Sequence, residues 1–394
     1  MPRPLALAIF IAVALSVAAG MHFYVWARLV RDVHLPPAWY RGLTAVFVVL
    51  FCSVPAAFYL GRALPPHRGA ILVGALYTWI GVLFVLLVLC ATTDAVQLVA
   101  RVVRWVGDAK PPVDPERRIA LARLVGGGIA LVGGSATGAG LVSGLAPVAV
   151  REVRVALKAF PTALRGMTIV QLSDMHLGPT LRRRFVERVV AQVNALEPDV
   201  IAITGDLVDG SVEKLREVVA PLTKLRAKHG TYFVTGNHEY YSGAVEWCDE
   251  LTRIGIRVLR NERVRIGSEA ASFDLAGIDD YHAREFGHGH GADLGRALAG
   301  ADPSQAVVLL AHQPIAVHEA RERGVGLVLS GHTHGGQIWP WHFFVRLQQP
   351  VVQGLHRFGD TQIYVSCGTG CWGPPMRIGA PAEITKIVLS APPA

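Results

Sequence analysis

The chain has 394 residues, 52% of them apolar, with a mean hydropathy of +0.38 and a formal charge of +8. That length leaves room for about two domains, and the hydropathy is high for a wholly soluble protein. No basic stripe interleaved with aromatics is present, and many of the arginines flank apolar runs, so the charge speaks for membrane flanks and against nucleic acid.

The apolar excess lies before about residue 147. Runs at Leu5–Val25, Leu43–Leu60, Ala70–Leu98 and Leu124–Leu145 are each near the ~20 residues a spanning helix needs. The first is long for a signal-peptide core and three more follow, so it reads as a retained helix. Pro55 interrupts the second run, which neighbouring helices tolerate. The fourth carries Gly126-Gly127-Gly128, Gly133-Gly134, Gly138 and Gly140, and small residues of this kind permit close helix packing. The loop after the first run holds Arg28, Arg31 and Arg41; the loop after the third holds Arg101, Arg104, Lys110, Arg117, Arg118 and Arg123. The opposite side has Arg3, Arg62, Arg68, Arg151, Arg154 and Lys158. The positive-inside rule then places the first and third loops in the cytoplasm and leaves the rest of the chain outside it. Asp94 reads as an interfacial residue. The lack of intramembrane charge pairs argues against a transport path. The expectation is a transmembrane region of four helices over 1–147 and a globular domain over 148–394, in a multi-pass cell-membrane protein.

From Val150 onward, strands and helices alternate. Strands are expected at 150–157, 168–172, 199–204, 231–234, 257–259, 263–266, 273–277, 306–310, 325–329, 361–365 and 383–389. Helices are expected at 181–196, 212–228, 244–254 and up to Arg323. This alternation gives α/β layers, and the β-rich end suggests a second sheet packed on the first. Polar clusters sit just past strand ends: Asp174 and His176, Asp206 and Asp209, Asn237 and His238, His312, and His332 and His334. In open α/β sheets that is where sites assemble. Alternation along a strand would point His332 and His334 the same way. Asp174, His176, Asp206, Asn237, His312, His332 and His334 offer oxygen and imidazole nitrogen without thiolate, a set suited to Mn, Fe or Zn. Seven such ligands are too many for one ion and fit two sharing a bridge, which can activate water for an in-line phosphoryl displacement. Asp206 is the carboxylate best placed to bridge. His238, next to a ligand, should face the phosphate and donate a proton to the leaving oxygen.

Asp174-x-His176, Gly205-Asp206-x-x-Asp209, Gly236-Asn237-His238-Glu239, His312 and Gly331-His332-x-His334 resemble, in order, the motifs of calcineurin-like metallophosphoesterases, over about residues 150–390. With Leu172-Ser173-Asp174, Gly335-Gly336-Gln337 and the apolar amino-terminal half, the chain looks most like the membrane-associated YkuE/YaeI-type branch. The resemblance implies a four-layer α/β/β/α sandwich behind the helical bundle. It implies one divalent metal ion on Asp174, His176 and His334, a second on Asn237, His312 and His332, and Asp206 between them. It gives His238 the role of general acid or transition-state stabiliser, oriented by Asp209. The implied activity is hydrolysis of a phosphodiester or pyrophosphate, in a phosphorylated small-molecule or lipid-linked substrate, by a metal-bridging hydroxide. The alternative is a membrane sensor or scaffold whose metal domain only binds.

The remaining candidates carry less. Glu239 reads as a helix-start residue favoured by the dipole. His288-Gly289-His290 reads as a surface loop before a third metal site, and His282 as a loop residue before a cleft residue. Trp339-Pro340-Trp341-His342-Phe343-Phe344, with Arg346 beside it, suits a membrane interface or a lipid chain as well as core packing. The family resemblance suggests a basic residue where Cys367 stands, and Arg377 is the substitute considered for phosphate contact. Cys367 and Cys371 either bridge or stay free; Cys52 and Cys90 read as plain hydrophobes.

Overall fold

A computed structural model of the protein describes residues 3–63, 66–106, 114–287 and 289–392. The chain divides into two compact units, one of Met1–Leu64 with Gly69–Val142, the other of Pro65–Arg68 with Ser143–Ala394.

The first unit is built from α1 (Arg3–Trp26), α2 (Pro37–Ala63), α3 (Pro66–Val106) and most of α4 (Pro115–Leu145), four helices long and apolar enough to cross a membrane. Helices satisfy their own backbone polar groups, which a bilayer core demands. Two of the α4 glycines face neighbours: a Cβ on Gly126 would lie 3.1 Å from Val33, and one on Gly133 would lie 2.8 Å from Leu86. A Cβ on Gly127, Gly128, Gly134 or Gly138 would meet no atom within 4 Å among the described residues, so the small-residue stripe is narrower there than the sequence suggests. Asp94 does more than sit at an interface. It accepts from Tyr24 Oη at 2.6 Å and pairs with Arg28 at 2.8 Å, where α1 gives way to a π-helical turn. A charge pair therefore joins α3 to the turn after α1, which the sequence did not announce.

The second unit holds two six-stranded sheets. One contains β1 (Ala149–Ala156), β2 (Thr168–Leu172), β3 (Val200–Thr204), β4 (Thr231–Val234), β5 (Arg257–Val258) and, between β1 and β2, β12 (Glu383–Ser390). The other runs in the order β10 (Gly354–Phe358), β11 (Thr361–Val365), β9 (Leu327–Ser330), β8 (Val307–Leu310), β7 (Ser272–Gly277) and β6 (Glu262–Gly267). β2 to β5 are parallel, as are β7, β8, β9 and β11. Side-chain alternation sorts their residues into layers. Ile169, Val200 and Ala202 meet Leu275, Val308 and Leu329 between the sheets. Val170, Ile201 and Ile203 face outward against α5 (Arg183–Asn194), α6 (Val212–Val219) and α8 (Ala244–Arg253). On the far side Leu309, Val328 and Ile363 pack beneath α9 (Leu294–Ala297) and α10 (Val317–Glu322). This is the four-layer α/β/β/α sandwich. The strand β10 was not anticipated. It is an edge strand with three central residues exposed, so it lacks the apolar pattern that marks a buried strand. The helix expected over 212–228 ends at Val219 and continues as a 3-10 turn through Lys224, with Pro221 in its first turn.

Candidate metal centre

The carboxyl ends of β2, β3, β4, β8 and β9 deliver the polar clusters to one place. The chain turns sharply there. Asp174, His176, Asp206, His332 and His334 all have positive φ, between 45° and 70°. Such conformations cost roughly 1–3 kcal/mol each outside glycine and persist only where the surroundings over-determine them. His332 and His334 therefore lie beyond β9 in a turn, where strand alternation does not apply, and they serve two different groups. Two glycines make the close approach possible. A Cβ on Gly331 would fall 2.1 Å from Asp174 Oδ2, and one on Gly236 would fall 2.2 Å from Asp206 Oδ1.

The side chains form overlapping clusters: Asp174, His176 and His334; His176, Asp206 and His238; Asp206, His312 and His332. His334 Nε2 lies 3.0 Å from His176 Nε2 and 3.4 Å from Asp174 Oδ1. His332 Nδ1 lies 3.2 Å from His312 Nε2. Asp206 Oδ2 stands between these groups, 3.7 Å from His176 Nε2 and 3.2 Å from His312 Nε2. The opposite faces of two rings are engaged elsewhere. His312 Nδ1 meets the Thr204 carbonyl at 2.7 Å and His176 Nδ1 meets Asp209 Oδ1 at 3.0 Å, so each ring is oriented from that side and points its Nε2 inward. Asp209 Oδ1 also takes His238 Nδ1 at 2.6 Å. Asp206 Oδ1 accepts from the His238 backbone N–H at 2.9 Å.

Electrostatics fit a site for cations. Burial, then the charge on His312, pushes the His332 imidazole down to about 3, and burial with His176 holds His334 well below its ordinary range. Both rings are neutral at physiological pH and free to donate lone pairs. Burial lifts Asp174, with His312 pulling against it, whereas for Asp206 His312 and His238 outweigh burial and hold it well below the carboxylate range. Asn237 Oδ1 is buried with no hydrogen-bond partner among the described residues. A buried orphan acceptor needs an explanation, and a divalent ion supplies one. The residues present thus fit two ions with oxygen and nitrogen ligands.

Other sequence candidates fall outside this group. His290 takes a hydrogen bond from Arg260 at 2.9 Å and packs on Tyr240, and His288 lies outside the described residues. His282 is exposed and pairs with Glu285 at 3.0 Å. Arg377 does not replace a basic residue at Cys367 as a phosphate contact. It is buried, and its guanidinium donates to the carbonyls of Cys367 and Ala380 at 2.8 Å, and to those of His334, Gly368 and Gly370. Cys367 and Cys371 are both buried free thiols.

Glu239 is more than a helix-start residue. Its carboxylate accepts from the N–H groups of Gly236 at 2.7 Å, Leu207 at 2.8 Å and Asp206 at 3.0 Å, latching the Asp206 turn to the start of α7 (Asn237–Ser242). Burial and the charge on Asp206 push its pKa up to about 8, against the pull of those donors. The sequence signal was the Glu placed three residues after Gly236, the spacing of a capping box. Trp372 and Tyr241 were also missed; their rings stand 5.7 and 5.4 Å from that of His238, at the mouth of the centre.

Fold and donor set together define a protein of the α/β class built around a two-metal centre. Residues 167–336 match the calcineurin-like phosphoesterase family. The chain is 36% identical over 389 residues to a transmembrane protein with metallophosphoesterase domain from Bos taurus, across 94% of this chain and 86% of that one. It is 30% identical over 239 residues to the metallophosphoesterase YkuE of Bacillus subtilis, across 59% of this chain and 82% of that one. Among solved structures, a dimetal phosphatase from Danio rerio is similar with a TM-score of 0.36 and 15% identity, covering 52% of this chain and 88% of that one. The chain belongs to the calcineurin-like metallophosphoesterases, a family that uses two divalent metal ions.

Proposed function

We propose that the protein is a membrane-anchored phosphoesterase that hydrolyses a phosphodiester or pyrophosphate bond, in a lipid-linked substrate, on the extracytoplasmic side. The observation that carries the catalytic reading is the pairing of His238 with Asp209 at 2.6 Å beside two donor groups that share Asp206. In this reading Asp174, His176 and His334 would hold one ion and Asn237, His312 and His332 the other, with Asp206 shared between the two groups. The ions would supply an activated water and neutralise charge developing on the phosphoryl oxygens. His238 keeps its Nδ1 proton on Asp209 and presents Nε2 to the substrate, from which position it donates a proton to the leaving oxygen. Burial alone would lower its pKa, but Asp206 and Asp209 raise it to about 9, so the acid form is the populated one at neutral pH. Asp209 positions His176 through the same oxygen, tying the acid to a metal ligand. The tether confines the centre close to lipid head groups, which supports a lipid-linked substrate over a phosphoprotein.

The test is elemental analysis of purified full-length protein in detergent, alongside hydrolysis of a generic phosphodiester and a generic phosphomonoester with added Mn. About two ions per chain and diester turnover support the proposal. Metal without turnover of either ester, or of a vesicle-borne lipid ester, favours a sensor or scaffold. Absence of metal after loading with Mn, Fe or Zn overturns the centre.

A further inference from the structure

The segment from Trp339 to Leu347 presents large apolar side chains to solvent on the metal-binding unit. Trp339, Trp341, Phe343, Phe344 and Leu347 are 55, 49, 56, 53 and 81% exposed, and Trp372 beside them is 52% exposed. Contiguous apolar patches of this kind mark interaction surfaces. The even choice the sequence left, between core packing and an interface, is decided against the core.

The fold also indicates what lies against this shelf. The Gln337 side chain donates to the carbonyls of Trp372 at 2.9 Å and Pro374 at 3.1 Å, and accepts from Trp372 N–H at 3.0 Å. Trp339 N–H bonds the Ile378 carbonyl at 2.9 Å. Shelf and loop 372–378 are therefore one body. That loop packs on the end of α4: a Cβ on Gly144 would lie 2.5 Å from the Pro375 carbonyl oxygen and 2.9 Å from Met376 Cα. α4, one of the helices apolar enough to span a membrane, ends at Leu145, so the end of a candidate spanning helix lies at this spot. Charge complements it. A cavity of about 780 Å³ is walled by Gly144 and Leu145 together with Arg182, Arg184, Arg188 and Lys214, and Arg346 follows the shelf. Tryptophan and cations beside the end of a spanning helix are the composition of a head-group interface.

We infer that the shelf Trp339–Leu347, with Trp372, docks on the lipid bilayer, so that the mouth beside His238 opens at head-group level. The substrate class that follows is a phosphoester or phosphoanhydride with one lipid substituent, reached without leaving the leaflet. This consequence rests on the phosphoesterase reading; the docking itself does not.

The test keeps the two apart. Full-length protein carrying Cys52→Ser and Leu347→Cys is labelled with an environment-sensitive fluorophore, with the Cys52→Ser chain as the background. It is reconstituted in vesicles of phosphatidylcholine with phosphatidylglycerol. Docking predicts a blue-shifted label, quenched by lipids brominated high on the acyl chain and shielded from aqueous iodide. Adding Trp341→Ser, Phe343→Ser and Phe344→Ser should restore iodide access, and should lower turnover of a vesicle-embedded ester several-fold while leaving a water-soluble ester unaffected. A label at 347 that iodide reaches and brominated lipid does not quench overturns docking, and would assign the shelf to a protein partner. Loss of both esters in the unsubstituted chain would overturn the enzyme reading alone, because the label still reports on docking.

Discussion

At the scale of single residues, the site is a set of side chains aimed by backbone turns that cost energy to hold. His238 illustrates the chemistry. Replacing it with Ala should lower kcat by roughly 10²–10⁴-fold while bound metal stays at the unsubstituted level, read by elemental analysis on the same samples. A parallel loss of metal would show that His238 is a ligand and not the acid. The pH dependence has a definite sign. A histidine raised to about 9 stays protonated, and so competent as an acid, until pH rises through that value. The positive charge of bound ions pulls the value down, so the alkaline limb of kcat should fall between the ordinary imidazole value near 6.5 and 9. Asp209→Asn removes one of the groups that raise it. That limb should move to lower pH in the pH–rate profile; an unmoved limb would detach Asp209 from the acid. Gly331→Ala tests the other requirement. Its Cβ would meet Asp174 Oδ2 within bonding range, so Asp174 must turn away and metal affinity should drop, measured by competition with a chelator. Because Ser173 Oγ is equally close, the variant should also lose thermal stability.

At the scale of elements, the site is five strand ends with the loops that lock them, and this decides what the sequence could disclose. The strands were legible because their apolar runs are continuous and end in polar residues, as in β3 (Val200–Thr204) followed by Gly205-Asp206. The seven donor residues were legible for the same reason; six of them, Asp174, His176, Asp206, His312, His332 and His334, lie in the overlapping clusters, and Asn237 contributes a buried, unpartnered Oδ1. The devices that hold the loops were not, because a latch is defined by partners far apart in sequence. Glu239 reaches Leu207 across 32 positions, and Arg377 reaches His334 across 43. Nothing local marks Arg377 as the internal clamp of loop 367–370. The same limit misled the strand-alternation reading, which pointed His332 and His334 the same way; only the family resemblance separated them, since positive φ at both residues depends on the loop's surroundings. Arg377→Met would leave buried carbonyls of Cys367, Gly370 and Ala380 without a donor. At about 1–3 kcal/mol for each group left unmade, the full-length chain should lose most of its stability. Arg377→Lys, which keeps one cluster of donors, should fold with a lowered Tm and weaker metal binding. A chain with the Met substitution and an unchanged Tm would show that water or a backbone shift replaces the clamp.

At the scale of the whole molecule, the open question is which side of the membrane the metal centre works on, and the helical unit itself bears on it. Arg123 near the start of α4 donates to the carbonyls of Val33 at 3.2 Å and His34 at 2.9 Å, in the loop after α1. Asp94 in the last third of α3 pairs with Arg28 in the turn that follows α1. The loop after α1 and the loop after α3 therefore lie at one end of the unit. That end gathers Arg28, Arg31, Arg101, Arg104, Arg117, Arg118 and Arg123, whereas the sequence offers Arg3, Arg62 and Arg68 to the other. Acidic neighbours such as Asp32 and Asp94 do not cancel this bias, because orientation follows Lys and Arg and responds little to Asp and Glu. The basic end should be cytoplasmic, and α4 should return the chain to the opposite side before β1. A cysteine in place of exposed Glu269, between β6 and β7, should then react in intact cells with a maleimide that cannot cross the membrane, in a chain whose Cys52 is Ser. A cysteine replacing exposed Arg117 at the basic end should react only after lysis. The reverse pattern would put the centre against cytoplasmic lipids and redirect the search for its substrate to the inner leaflet. Reaction at both positions in intact cells would mean that α4 does not span, and the tether would then be three helices with the metal-binding unit on the same side as the basic loops.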